Sequence, residues 1–190
     1  MNKIRERIED SIKVKQGLLE NEDLLKAVSS LGEEIVKCIR NGGKLVICGN
    51  GGSASDALHF AGEIVGRFQK ERSAWPAIVL NADVTTMTAI ANDYGYDEIF
   101  SRQAEAHVTS KDILIGISTS GNSKNVLEAV KVAKSKGAKT AALLGKDGGK
   151  IAPEVDYAIV VPCNVTARVQ ESHICLIHIL CEIAEEELTL

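Results

Sequence analysis

The feature that most constrains this chain is a set of short segments that are apolar almost throughout, separated by helical patterns. Lys44-Leu45-Val46-Ile47-Cys48-Gly49 is one, and Asp112-Ile113-Leu114-Ile115-Gly116-Ile117-Ser118 is another. Ala77 to Leu80, Lys139 to Leu144 and Tyr157 to Val161 complete the set. A strand with one wet face alternates apolar and polar residues, whereas a strand apolar at nearly every position is covered on both faces. Strands of that kind alternating with helices predict a parallel sheet between two helical layers.

The intervening segments carry the helical period. Ile4, Ile8 and Ile12 form a first stripe, and Leu24, Leu25, Val28, Leu31, Ile35, Val36 and Ile39 a stronger one, stopped at Asn41-Gly42-Gly43. Further helices are expected from about Ser53 to Phe68 and from a cap at Asp83 to about Asn92. Others should follow the loop at 93–96 up to His107, run from about Ser123 to Lys136, and span Thr166 to Glu187. The expected fold class is α/β: a three-layer αβα sandwich with a five-stranded parallel sheet of flavodoxin-like order, plus N-terminal helices. With 190 residues and no linker or repeat, the chain should be one domain over 1–190.

Composition excludes several partners. The net charge is −4 and the Lys and Arg residues are scattered, so neither nucleic acid nor a membrane surface is expected. No apolar run approaches a membrane span, and the charged start MNKIRERIEDSIKVKQ lacks a signal-peptide core. The odd set Cys38, Cys48, Cys163, Cys175 and Cys181, with no CxxC spacing, fits a reducing cytoplasm. Cys38, Cys48 and Cys181 lie in apolar stretches and should pack in the core.

Two loops should lie at the carboxyl ends of strands, where open α/β sheets bind ligands. Ser118-Thr119-Ser120-Gly121-Asn122-Ser123 places four hydroxyls between a strand and a helix. Hydroxyl donors, a glycine that admits a close ligand, and the free N–H groups of a helix start make a phosphate site without a metal. A simple turn with a serine cap needs only one hydroxyl. Gly49-Asn50-Gly51-Gly52-Ser53-Ala54 formally matches a dinucleotide fingerprint. Its acidic partner is supplied only loosely by Asp83, and the fingerprint leaves the second loop unexplained. Asn50, Gly51 and Gly52 therefore read as contacts to a polar ligand, with an NAD-dependent oxidoreductase kept as a rival.

A metal-type constellation also stands out. His59 and Glu63 are spaced i, i+4 on one helix face, and Arg67 extends the stripe. The last helix carries Gln170, Glu171, His173 and His178, the last inside an apolar run. A surface ladder and a satisfied core histidine are the alternatives to metal ligation. Gln170 and His178 are separated by roughly 12 Å of straight helix. One ion can reach both only at an irregular helix start or between subunits.

Several motifs, in order, resemble one family. They are Cys48-Gly49-Asn50-Gly51-Gly52-Ser53, His59-Phe60-Ala61-Gly62-Glu63 with Gly66-Arg67-Phe68, Thr88-Ala89-Ile90-Ala91-Asn92-Asp93, Ser118 to Ser123, and Val169-Gln170-Glu171-Ser172-His173 with Ile177-His178. The chain resembles the phosphoheptose isomerases of the sugar-isomerase (SIS) fold from its first helices to its last. The resemblance implies a cytoplasmic homotetramer with active sites between subunits and with helices 1–41 contributing to its packing. It implies one Zn²⁺ per subunit, held by His59, Glu63, Gln170 and His178. It implies contacts to a sugar phosphate from Asn50, Gly51, Gly52, Glu63, Asn92, Asp93, Ser118, Thr119, Ser120, Ser123 and Gln170. Ala54-Ser55 and Ser172 stand where family members often carry larger residues.

The implied reaction is ketose–aldose isomerisation of D-sedoheptulose 7-phosphate to D-glycero-D-manno-heptose 7-phosphate, feeding heptose synthesis for lipopolysaccharide or another surface glycan. It needs a base at carbon and an acid at oxygen. Glu63 is expected as the base and His178 as the acid. Two rivals share the fold: an isomerase of another phosphosugar, and a non-catalytic DnaA-binding regulator, which would lack the His59, Glu63, Gln170 and His178 set.

Overall fold

The computed structural model describes residues 2–189. Residues 1 and 190 of the expected unit lie outside the described residues. Two helices, α1 (Asn2–Leu19) and α2 (Glu22–Arg40), precede β1 (Leu45–Gly49), α3 (Gly52–Val65), β2 (Ala77–Val79) and α4 (Val84–Tyr94). A 3-10 turn at Tyr96–Glu98 leads to α5 (Ser101–His107). Then come β3 (Ile113–Ser118), α6 (Lys124–Ser135), β4 (Lys139–Gly145), β5 (Tyr157–Val161) and α7 (Thr166–Leu188).

The five strands pair in the order β2-β1-β3-β4-β5, all parallel. This is the expected flavodoxin-like order, and β1 and β3 sit side by side at its centre. Strand period divides the core in two. Leu45, Ile47, Ile113, Ile115 and Ile117 face α2, α3 and α7, with Phe60, Leu31 and Leu180. Val46, Cys48 and Leu114 face α5 and α6, with Phe100, Val126 and Val130. Each face is thus sealed by a helical layer, and this is why these strands can be apolar throughout. Cys38, Cys48 and Cys181 are buried free thiols, as expected. Burial pushes the Cys48 and Cys181 thiols up to about 12.

Local signals act where the sequence places them. Asn21 caps α2 by accepting from the Leu24 N–H, with Glu22 and Asp23 in the first turn and Lys37 and Arg40 in the last. Both charge placements complement the helix dipole. Asp83 caps α4, accepting from the N–H groups of Thr85 and Thr86 and from the Thr86 hydroxyl.

Three boundaries differ from expectation. α3 ends at Val65 rather than near Phe68. Gly66 stands at its C-cap, its N–H closing on the Gly62 carbonyl, and beyond it the Glu185 carboxylate of α7 takes the N–H groups of Phe68, Gln69 and Lys70, which holds that stretch out of helical geometry. Arg67 consequently leaves the His59–Glu63 stripe and forms a surface ion pair with Glu71 at 3.6 Å. α5 is shorter than expected, because the 3-10 turn precedes it, and α4 runs two residues further, to Tyr94.

The N-terminal helices part company. α2 buries Leu24, Val28, Leu31 and Ile35 in this chain's own core. α1 leaves Ile4, Ile8 and Ile12 at 64%, 56% and 61% exposure.

Candidate active site

The loops after β1 and β3 lie next to each other at the carboxyl end of the sheet, since their strands are paired. In the β3 loop the Ser118 and Ser123 hydroxyls are 2.8 Å apart. Ser123 stands at the N-cap of α6 yet makes no side-chain cap bond, so its hydroxyl faces the loop interior. The Ser120 hydroxyl accepts from the Asn122 N–H at 3.1 Å. Gly121 has φ +67°, and a Cβ there would overlap the Gly148 carbonyl, so glycine is required by both conformation and space. The Ser118 and Ser123 hydroxyls thus meet at the start of a twelve-residue helix, with its positive dipole end behind them.

In the β1 loop, Gly51 (φ +56°) turns the chain into α3. Gly52 opens the helix, and the Gln170 amide lies where a Cβ of residue 52 would be. Asn50 and the buried Asn125 of α6 form a reciprocal amide pair, with both N···O distances at 2.9 Å. The Tyr96 hydroxyl donates to the Asn50 carbonyl oxygen at 3.0 Å. That bond brings the end of α4 beside the loop, with Asn92 and Asp93 exposed and bonded to each other at 2.8 Å.

The histidine–glutamate pair and the last helix do meet. The Nε2 atoms of His59 and His178 are 2.9 Å apart, and His59 Nε2 is 3.3 Å from the Glu63 carboxylate. Phe68 packs on the His178 ring at 5.5 Å between centroids. His178 is only half-buried, so it is not a core histidine.

His173 is the core histidine. It is fully buried and its Nε2 donates to the Leu144 carbonyl at 3.0 Å, which leaves Nδ1 unprotonated and without a partner. Burial lowers its pKa, against the Leu144 bond, and keeps the ring neutral.

Gln170 does not join the other three residues within one chain. It touches Gly52, whereas His178 touches His59. Seven residues separate Gly52 from His59, and eight separate Gln170 from His178, so α3 and α7 run side by side in the same direction. The glutamine therefore lies roughly 10 Å along the helices from the imidazole pair.

Two imidazole nitrogens and a carboxylate are donors that Zn²⁺ takes readily, so the chemistry of His59, Glu63 and His178 fits that ion. Among the described residues, no three His, Cys, Asp or Glu side chains already stand in a metal-holding arrangement, because the two imidazoles face each other instead.

Residues that sequence patterns did not single out complete the surroundings. Asn125, Tyr96, Arg72 and Glu185 act through contacts between distant segments, which leave no local signal. Asp83, the acidic residue a dinucleotide site would need, is occupied as a cap; the Thr86 hydroxyl and N–H hold its carboxyl below the usual range.

Residues 11–145 match the model of the SIS domain family. The phosphoheptose isomerase of Geobacter sp. (strain M21) is 53% identical over 168 residues, 88% of each chain. The solved phosphoheptose isomerase of Neisseria gonorrhoeae superposes with a TM-score of 0.92 at 42% identity, covering 97% of this chain and 98% of that one. The phosphoheptose isomerase structure from Francisella tularensis gives a TM-score of 0.93 at 38% identity, covering 97% of both chains. With its sheet order, its paired loops and these relatives in agreement, the chain belongs to the phosphoheptose isomerase family of SIS-domain proteins.

Proposed function

We propose that this chain interconverts D-sedoheptulose 7-phosphate and D-glycero-D-manno-heptose 7-phosphate. The observation that carries the reading is the meeting of Glu63 with His59 and His178, in a family whose curated members are named phosphoheptose isomerases. The hydroxyls of Ser118, Thr119, Ser120 and Ser123 hold the phosphate. That anchoring positions the reacting carbons at the far end of the sugar. The remaining contacts come from Asn50, Gly51, Gly52, Asn92, Asp93 and Gln170.

Glu63 removes the C1 proton of the ketose as the electron pair moves to form a C1–C2 double bond. His178 delivers a proton to the C2 oxygen, giving the enediol. In the second half the C1 hydroxyl returns its proton, the C1 carbonyl forms, and Glu63 returns the carbon-bound proton to C2. His59, Glu63 and His178, with Gln170, would hold Zn²⁺, which supplies positive charge to an oxygen turning anionic.

Within one chain, Gln170 and the β1 loop stand two helical turns from the imidazole pair. A neighbouring copy is the natural source of the missing reach, and a homotetramer with sites between subunits is the assembly proposed. The unpartnered Ile4, Ile8 and Ile12 stripe supports it, as do Leu58 and Ile179, exposed beside the two histidines. No helix among the described residues is long and apolar enough to cross a membrane. A cytoplasmic site of action, supplying heptose to surface glycans such as lipopolysaccharide, follows from the family resemblance.

The DnaA-binding alternative gains no support, since the curated relatives carry an enzyme's name. The test is direct: supply D-sedoheptulose 7-phosphate with and without zinc and identify the product. Absence of any aldoheptose phosphate in the zinc-loaded reaction sinks the proposal.

A further inference from the structure

We infer that Asn125 and Tyr96 lock the Asn50 amide in one orientation, so that the Asn50 side chain meets the sugar phosphate only as a hydrogen-bond donor. This deepens the site reading above and rests on it. Asparagine amides are ambiguous in isolation, but here one bond settles the whole chain of contacts. The Val126 backbone N–H can only donate, and it points at Asn125 Oδ1 from 2.9 Å. That fixes which end of Asn125 is oxygen. Its Nδ2 then donates to Asn50 Oδ1 at 2.9 Å, and Asn50 Nδ2 donates back to Asn125 Oδ1 at 2.9 Å.

The Tyr96 hydroxyl donates the second bond to Asn50 Oδ1, at 3.0 Å. Both acceptor positions of that oxygen are now filled, whereas the Asn50 nitrogen has used one of its two hydrogens. The free hydrogen is the only polar valence the Asn50 side chain has left for a ligand. Its partner must be an acceptor, that is, an oxygen of the sugar phosphate.

The arrangement has a second consequence. Asn50 follows β1, Asn125 opens α6 directly behind the hydroxyl loop, and Tyr96 follows α4. Asn125 is 3% exposed, so its amide is a fixed anchor rather than a surface group. Three of the segments that carry the proposed substrate contacts are thereby bonded to one amide pair. Asn125 and Tyr96 are positioning residues, since each acts through Asn50.

The experiment measures kcat and KM for D-sedoheptulose 7-phosphate on the full zinc-supplied chain. The variants are Tyr96→Phe, Asn125→Ala, Asn50→Ala and the doubles Tyr96→Phe/Asn50→Ala and Asn125→Ala/Asn50→Ala. Each single change should raise KM about three- to ten-fold, the worth of one neutral hydrogen bond. Neither double should be worse than Asn50→Ala alone, because the orienting bonds have nothing left to orient. Tyr96 is exposed and reaches Asn50 through its hydroxyl, so Tyr96→Phe carries the test even if Asn125→Ala unfolds. Additive effects in the Tyr96 double overturn the inference while leaving Asn50 as a contact. An unchanged KM in Tyr96→Phe overturns it as well. An unchanged KM in Asn50→Ala removes Asn50 from the site, and the inference with it.

Discussion

Arg72 and Glu185 form an ion pair at 3.0 Å, with both side chains almost fully buried, and this pair joins the end of α3 to α7. Arg72 also donates to the Glu63 and Ile64 carbonyls in the last turn of α3, where the Trp75 N–H meets Ile64 as well. Its guanidinium lies over the Trp75 ring at 3.5 Å. Glu185 collects three backbone N–H groups from residues 68–70. The stretch so held carries Phe68 onto His178, so a structural clamp also braces the histidine cluster.

Removing one partner of such a pair leaves a buried charge alone. Glu185→Ala is expected to destabilise the chain by about 3–5 kcal/mol, measured by urea unfolding. A loss under about 1 kcal/mol would show that the clamp is dispensable.

The same group predicts acid sensitivity. Burial pushes the Glu185 carboxyl up, but the Gln69, Lys70 and Phe68 N–H groups and Arg72 outweigh it and hold the pKa down to about 2, against an ordinary 4.5. A depressed carboxyl stabilises the fold fully above its unfolded value and loses that contribution as pH falls through the folded one. The stability gap between the native chain and Glu185→Gln should therefore be full at pH 7 and shrink steadily between about pH 4.5 and pH 2. Urea melts across that window check it, and a gap independent of pH contradicts it.

Glu63→Gln removes the base and His178→Gln the acid. Each should lower kcat about 10²- to 10⁴-fold, the usual worth of a general acid or base. Near-normal turnover in either variant takes that residue out of the chemistry. His59→Ala should lower bound zinc in a metal assay of the purified protein, a readout independent of turnover.

Two glycines should respond in opposite ways. At Gly121 a side chain meets the Gly148 backbone with φ already at +67°, so Gly121→Ala should destabilise by about 1–3 kcal/mol. At Gly52 the obstacle is the flexible end of Gln170. Gly52→Ala should keep its melting temperature nearly unchanged but displace Gln170 and raise KM. Equal destabilisation of the two variants would contradict this account.

The α1 stripe tests assembly. Replacing Ile4, Ile8 and Ile12 with serine should leave the helical circular dichroism signal intact, because these side chains are exposed within the chain. It should shift sedimentation toward smaller species if the stripe is covered in the oligomer. Unchanged sedimentation assigns the interface elsewhere.

Much of this architecture was legible in residue patterns. The five strands, the cap at Asp83 and the loops after β1 and β3 follow from period, turn chemistry and cap chemistry, which act within a few residues. Strands apolar on both faces dictated a covered parallel sheet, and the sheet brought its two central loops together. His59 and Glu63 could be paired from spacing alone, since helix geometry is local.

What the chain order could not disclose depends on distant segments meeting. The path of the chain after Gly66 is held by Glu185, more than a hundred residues away, which takes the N–H groups of residues 68–70. The separation of Gln170 from the two histidines is decided by how α3 and α7 lie against each other. The donor role of Asn50 is decided by an amide pair bridging two loops. Hydrogen bonds and ion pairs of this kind satisfy buried polar groups with whatever tertiary packing delivers, and packing is set by the whole core rather than by any one stretch.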